Sequence, residues 1–186
     1  MQSLQGKSIA VLATNGFEQS ELEVPRDKLR EAGAKVHVLS LKTGEIKGWD
    51  GDDWGRSVAV DKTLNDVSPD DYDAILLPGG QINPDLLRIE PKAIDFIKAF
   101  WTGEKVVAAI CHAPWLLIEA GIAKNRKMTS YKSIKTDVIN AGAHWQDSAV
   151  VADQGLVTSR NPGDLDVFCE KIAEEINEGR HERRAA

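Results

Sequence analysis

Apolar residues fall in short runs separated by stretches of helical period. Residues 8–14 (SIAVLAT) predict a strand that stops at the turn dipeptide Asn15-Gly16. Over 18–32 the apolar Leu22, Leu29 and Ala32 lie on one side with charges opposite, and Gly33 stands at the C-cap position, so a helix is expected. Residues 35–41 (KVHVLSL) give a second strand and complete a right-handed β-α-β unit. Residues 42–63 break this rhythm with Gly44, Gly48, Gly51 and Gly55 around Trp49 and Trp54, which reads as a hairpin-like excursion. The alternation then resumes. A strand over 72–77 ends at Pro78-Gly79-Gly80, and a helix over 84–101 stops at Gly103. The strand over 105–110 is almost wholly apolar, as a parallel strand buried on both faces should be. A short helix over 114–120 follows, then strands over 127–130, 149–152 and 156–159, a helix over 134–141 and a closing helix over 164–178.

This pattern predicts one three-layer α/β domain over 1–186, with a mostly parallel central sheet and a small β-hairpin excursion. Hydrophobic residues at 42% and charged residues at 28% exclude wholesale disorder. No apolar run is long enough to span a membrane. The net charge of -6 argues against a nucleic-acid binder. The basic cluster Arg180, His181, Arg183 and Arg184 reads as a solvated C-terminus. Cys111 and Cys169 form neither a disulfide framework nor a zinc spacing, and residues 1–7 lack an apolar signal core. A reducing, cytoplasmic compartment is the expectation. Asp50, Asp52 and Asp53 read as a solvated turn, because no glutamate closes a calcium loop.

In an open parallel sheet, sites form beyond the C-terminal strand ends. The most informative of these is Ala109-Ile110-Cys111-His112-Ala113-Pro114, where a buried strand stops at a thiol and a helix starts at once. Small residues two before and two after the cysteine permit a nucleophile elbow, and the following helix start favours thiolate. A buried core cysteine is the plainer alternative. In an elbow, His112 could cooperate with the thiol; otherwise it is a helix-start histidine bonded to backbone. Gly79-Gly80 could turn an N–H toward an oxyanion beside Cys111, or be an ordinary turn. Glu18, after the first strand, could bring a protonated carboxyl to the sulfur, or be an exposed first-turn glutamate. Cys169 reads as core packing. Neither a dinucleotide fingerprint nor a phosphate loop is present, and no metal-ligand cluster stands out, so no cofactor and no metal are expected.

The segments ATNGFEQSEL (13–22), YDAILLPGG (72–80), AAICHAPWLL (108–117), INAGAHWQDSAVV (139–151) and LVTSRNP (156–162) resemble, in order, those of the PfpI-type intracellular proteases. That family belongs with the parkinsonism-associated deglycase and the class I glutamine amidotransferases. The resemblance implies a flavodoxin-like sandwich. It implies Cys111 as nucleophile, His112 as catalytic histidine, Glu18 as the glutamate touching the sulfur and Gly80 as the oxyanion-loop glycine. It also implies that Asp85 of a neighbouring subunit orients the histidine, and hence a homodimer or larger assembly. Ala113 stands where the family usually has glycine, and Asp85 is one methylene shorter than the glutamate of some members. The activity implied is that of a stress-related, cysteine-dependent hydrolase or lyase acting on a small aldehyde, a glycated group or a peptide. The alternative is a redox-sensing stress protein or chaperone in which Cys111 is oxidised instead of turning over substrate.

Overall fold

The computed structural model describes residues 1–182. The chain runs β1 (Ser8–Leu12), β2 (Phe17–Glu18), α1 (Gln19–Glu31), β3 (Lys35–Ser40), β4 (Glu45–Asp50), β5 (Asp53–Ala59), β6 (Lys62–Thr63) and β7 (Ala74–Leu77). It continues α2 (Ile82–Arg88), α3 (Pro91–Thr102), β8 (Val106–Ile110), α4 (Pro114–Glu119), β9 (Lys127–Met128), α5 (Lys135–Asn140), β10 (His144–Trp145), β11 (Val150–Asp153), β12 (Leu156–Ser159) and α6 (Leu165–Glu178). Seven strands form the central sheet in the order β11-β12-β8-β7-β1-β3-β6. Every neighbouring pair is parallel except β11–β12. This is the three-layer α/β architecture that the hydrophobic rhythm predicts, of the flavodoxin-like kind that the family resemblance implies.

Alternation along each strand sorts its side chains between two cores. Ile9 and Val11 join Leu22, Leu29, Phe168 and Ile172 beneath α1 and α6. Ala10 and Leu12 join Ile97, Phe100 and Leu116 beneath α3 and α4. With both faces covered, the five residues of β8 are all buried.

Several boundaries differ from the sequence reading. The helix expected over 84–101 is two helices. Proline disfavours helical backbone in the residue before it, and Glu90, ahead of Pro91, is extended (φ -98°, ψ 102°). The strand expected over 127–130 shrinks to β9, which pairs with β10 outside the main sheet. The excursion is an antiparallel hairpin, β4–β5, joined to β2 through the pairs Phe17–Gly48 and Glu18–Trp49. It is thereby held against the C-terminal end of β1.

His181 is not part of a solvated tail. Its side chain is 10% exposed, packs over Gly155 and bonds through Nε2 to the Glu175 carbonyl at 3.0 Å. Arg183 and Arg184 lie outside the described residues. Among the described residues no helix is long and apolar enough to cross a membrane.

Candidate active site

Strands β12, β8, β7 and β1 are adjacent in the sheet, so their C-terminal ends converge on one spot. At the end of β8 the chain turns into α4 through Cys111, whose φ of 63° lies in the left-handed region. A side chain there costs roughly 1–2 kcal/mol over ordinary backbone. Hydrogen bonds hold the bend: Cys111 N–H donates to Ser159 O (3.1 Å), and Tyr131 N–H donates to Cys111 O (2.8 Å). The elbow expected from the small flanking residues is formed. Ala113 fits it without strain, because its backbone is already helical (φ -57°, ψ -25°).

The bend sets His112 Nδ1 3.1 Å from Cys111 Sγ. The imidazole is buried, stacks on Tyr131 with centroids 4.9 Å apart, and meets Ser133 Oγ through Nε2 at 3.1 Å. Burial lowers its pKa, so the ring is neutral at neutral pH. Neither Tyr131 nor Ser133 stands out in the sequence, since both lie in an irregular segment more than a dozen residues downstream.

Across the sulfur lies the loop Pro78-Gly79-Gly80. A methyl on Gly79 would meet Glu21 Oε2 at 2.5 Å and Cys111 Cβ at 2.6 Å. A methyl on Gly80 would meet Gly16 O at 2.4 Å, at a φ of 80°. Only glycine fits either place. The loop is clamped by buried Asn83, whose Nδ2 donates to Pro78 O (2.9 Å) and Gly79 O (3.2 Å) while its Oδ1 accepts from Thr14 N–H (2.7 Å). The backbone N–H groups of Gly80 and His112 lie near enough to the sulfur to favour its thiolate.

The carboxyl at the sulfur belongs to Glu21, not Glu18. Glu18 pairs with the hairpin as the last residue of β2 and lines the mouth of the cavity, half-buried. Glu21 lies in the first turn of α1, fully buried. Its Oε2 accepts the Gly79 N–H at 2.9 Å, the carboxyl lies across Gly79 from the Cys111 side chain, and Oε1 has no hydrogen-bond partner among the described residues. A signal for this was present: Glu21, Pro25 and Leu29 recur every four residues on the buried stripe of α1.

Burial, and then the charge of Glu18, push Glu21 up to about 8, against hydrogen bonds from Cys111 and the N–H groups of Gly79 and Gly80. The Cys111 thiol is also pushed up, by burial first and by the Glu21 charge second, against the N–H groups of Gly80 and His112. A thiol depressed by the helix start alone is therefore not what the site holds. Two buried acids in contact cannot both ionise near neutrality, so the pair carries at most one negative charge. Asp85 is not brought to His112 within the chain. It lies exposed on α2 and makes no hydrogen bond or ion pair among the described residues.

A cavity of about 490 Å³ opens over the sulfur, lined by Glu18, Glu21, Trp49, Cys111, His112 and Tyr131 among others. At the other end of β8, Glu175, Glu178 and His181 bring possible ligand atoms within 4.8 Å of one another. Nothing in the site at Cys111 draws on that group. Cys169 is buried on α6, as expected.

Fold and elbow together define a class: parallel α/β proteins with a cysteine at a strand-to-helix turn, facing a glycine loop and a buried carboxyl. The chain belongs to the DJ-1/PfpI family, which it matches over residues 7–175. It is 45% identical over 157 residues to Deglycase PfpI of Pyrococcus furiosus, covering 84% of this chain and 92% of the relative. It is 45% identical over 165 residues to General stress protein 18 of Bacillus subtilis, covering 88% and 94%. The crystal structure of Drosophila melanogaster DJ-1beta is similar at a TM-score of 0.82 and 33% identity, over 96% of this chain and 95% of that one.

Proposed function

We propose that the protein is a stress-related, cysteine-dependent deglycase of PfpI type, which hydrolyses the adducts that α-oxoaldehydes form with amines and also consumes the free aldehydes. The observation that carries this reading is the thiol held between two proton-handling groups, His112 Nδ1 at 3.1 Å and the Glu21 carboxyl. The kinship with Deglycase PfpI supports it.

With His112 Nε2–H donating to Ser133 Oγ, Nδ1 is free to accept the thiol proton. The sulfur then adds to the aldehyde carbon. The C–S bond forms, the carbonyl electron pair moves to oxygen, and the N–H groups of Gly80 and His112 receive the oxyanion. In an amine adduct the C–N bond at the same carbon breaks, and the amine leaves with a proton. Glu21, poised near neutrality, transfers the remaining C1 proton to C2 through an enediol, so C1 is oxidised as C2 is reduced. The resulting thioester is cleaved by water. One water is consumed, a 2-hydroxy acid is released, the thiol is restored, and no external oxidant enters. A peptide would be opened through a thioester by the same parts.

Asp85 belongs to this reading as a residue supplied by a second copy. Supported by the family resemblance and by its exposure on α2 beside the apolar Leu86 and Ile89, it would orient His112 in a homodimer or larger assembly. The functional unit is one domain over 1–186, working in a reducing cytoplasm. The test is methylglyoxal consumption, and release of free amine from a methylglyoxal–amine adduct. Cys111→Ala should abolish both, and Glu21→Gln should lower turnover by ~10²-fold or more. Activity that survives in Cys111→Ala contradicts the reading.

A second reading rests on the Glu21 carboxyl. Two equivalents of peroxide, each reduced to water, would carry Cys111 through the sulfenic acid to the sulfinate, and a protonated Glu21 would donate to a sulfinate oxygen. Peptide mass spectrometry after mild peroxide separates this from turnover.

A further inference from the structure

The imidazole of His112 lies between two aromatic side chains. Tyr131 stacks on it at 4.9 Å and 26°, and Trp115 meets it edge-on at 5.4 Å and 62°. These contacts fix the plane of the ring but not which way round it sits. Half a turn about Cβ–Cγ would put Cδ2 in the place of Nδ1 and Cε1 in the place of Nε2, with the plane unchanged. Hydrogen bonds must choose between the two orientations. Among the described residues there are two, Nδ1 with Cys111 Sγ and Nε2 with Ser133 Oγ, both at 3.1 Å. The first does not outlast the chemistry. Once the thiol has given up its proton and the sulfur is bonded to carbon, the sulfur has nothing left to donate to Nδ1. The second is untouched by the reaction. Ser133 is also tied to the elbow. It lies in the 3-10 turn over 132–134, which begins where Tyr131 N–H donates to Cys111 O at 2.8 Å and closes where Ile134 N–H donates to Tyr131 O at 3.2 Å. Ile134 is buried in the core, whereas Ser133 is exposed and is not among the residues lining the cavity.

We propose that Ser133 is a positioning residue: by accepting Nε2–H it keeps His112 in the tautomer with a bare Nδ1, and holds that nitrogen toward the sulfur and the carbon bound to it through the whole cycle. Ser133 acts through His112 and touches no substrate. The inference deepens the proposed function and rests on its reading of Cys111 and His112 as the reacting pair. The orientation is set within a single chain. Ser133 keeps its own O–H as a donor, so an Asp85 carboxylate arriving from a second copy would bond to that hydroxyl and reinforce the contact.

The experiment compares the intact wild-type protein with Ser133→Ala and Ser133→Thr. The exposed position lets both variants fold, and threonine keeps the accepting hydroxyl. Two quantities are read: kcat and KM for methylglyoxal, and the ring-nitrogen NMR signals of His112 in protein labelled with nitrogen-15 at histidine, identified by their loss in His112→Asn. Wild type should show a protonated Nε2 and a bare Nδ1. Ser133→Ala should lower kcat about fivefold, the scale of one neutral hydrogen bond, with KM unchanged. Its His112 signals should move toward a mixture of tautomers. Ser133→Thr should recover most of the rate and the wild-type signals. Wild-type kcat and wild-type His112 signals in Ser133→Ala overturn the proposal. So does a loss of rate that Ser133→Thr fails to recover while the His112 signals stay as in wild type, since the serine would then matter only to the fold of its turn. Failure of the deglycase reading would appear elsewhere, as absent turnover in the wild-type protein, and the nitrogen signals of the two variants would still decide the role of Ser133.

Discussion

At the scale of single residues, the chemistry depends on how closely Glu21 and Cys111 approach across Gly79. The folded protein holds the Glu21 proton up to about 8, whereas the unfolded chain holds it to about 4.5. The folded state therefore binds more protons between these values. The Glu21 contribution to stability is therefore greatest below about 4.5 and is lost as pH rises to about 8, by on the order of 1.4 kcal/mol for each unit between the two values. Glu21→Gln has no proton to lose there, so its stability relative to wild type should rise from pH 5 to pH 8. Urea denaturation at the two pH values checks this, and a constant difference would mean that the carboxyl is solvated. Cys111, His112 and the glycine loop were legible because strand ends and small residues mark them. The glutamate was placed three residues too early. The sequence shows that a carboxyl follows β1, but a two-residue strand pairing turns Glu18 toward the hairpin, and that pairing partner lies thirty residues away.

At the scale of elements, the site is a set of turns whose conformations are enforced by neighbours. In Gly80→Ala the methyl would lie 2.4 Å from Gly16 O and 2.7 Å from Glu18 N, at a φ that L residues seldom adopt. A loss of about 2–4 kcal/mol is expected, seen as a thermal midpoint roughly 5–15 °C lower, together with loss of turnover. An unchanged midpoint would show that the loop can move aside. Helix and strand positions were readable because period and burial agree, most plainly in β8. Where they were misread, a local rule had more weight than periodicity: Pro91 splits the expected long helix, and β9 finds its partner in β10 and not in the main sheet.

At the scale of the whole molecule, α2 shows an apolar face to solvent beside the cavity, with Ile82 36%, Leu86 42% and Ile89 75% exposed and Asp85 among them. Association through this face would bring a second copy's Asp85 toward His112. Light scattering at micromolar concentration should show a dimer or larger species. Ile89→Asp should shift it toward monomer and lower turnover together, and a fully active wild-type monomer would exclude the shared site. The central claim concerns one sulfur. Rapid mixing with methylglyoxal, acid quenching and peptide mass spectrometry test it directly. The account predicts a covalent adduct on Cys111 that forms and decays at the rate of turnover, with Cys169 unmodified. Turnover without any adduct on Cys111, or an adduct that persists while product accumulates, would contradict it.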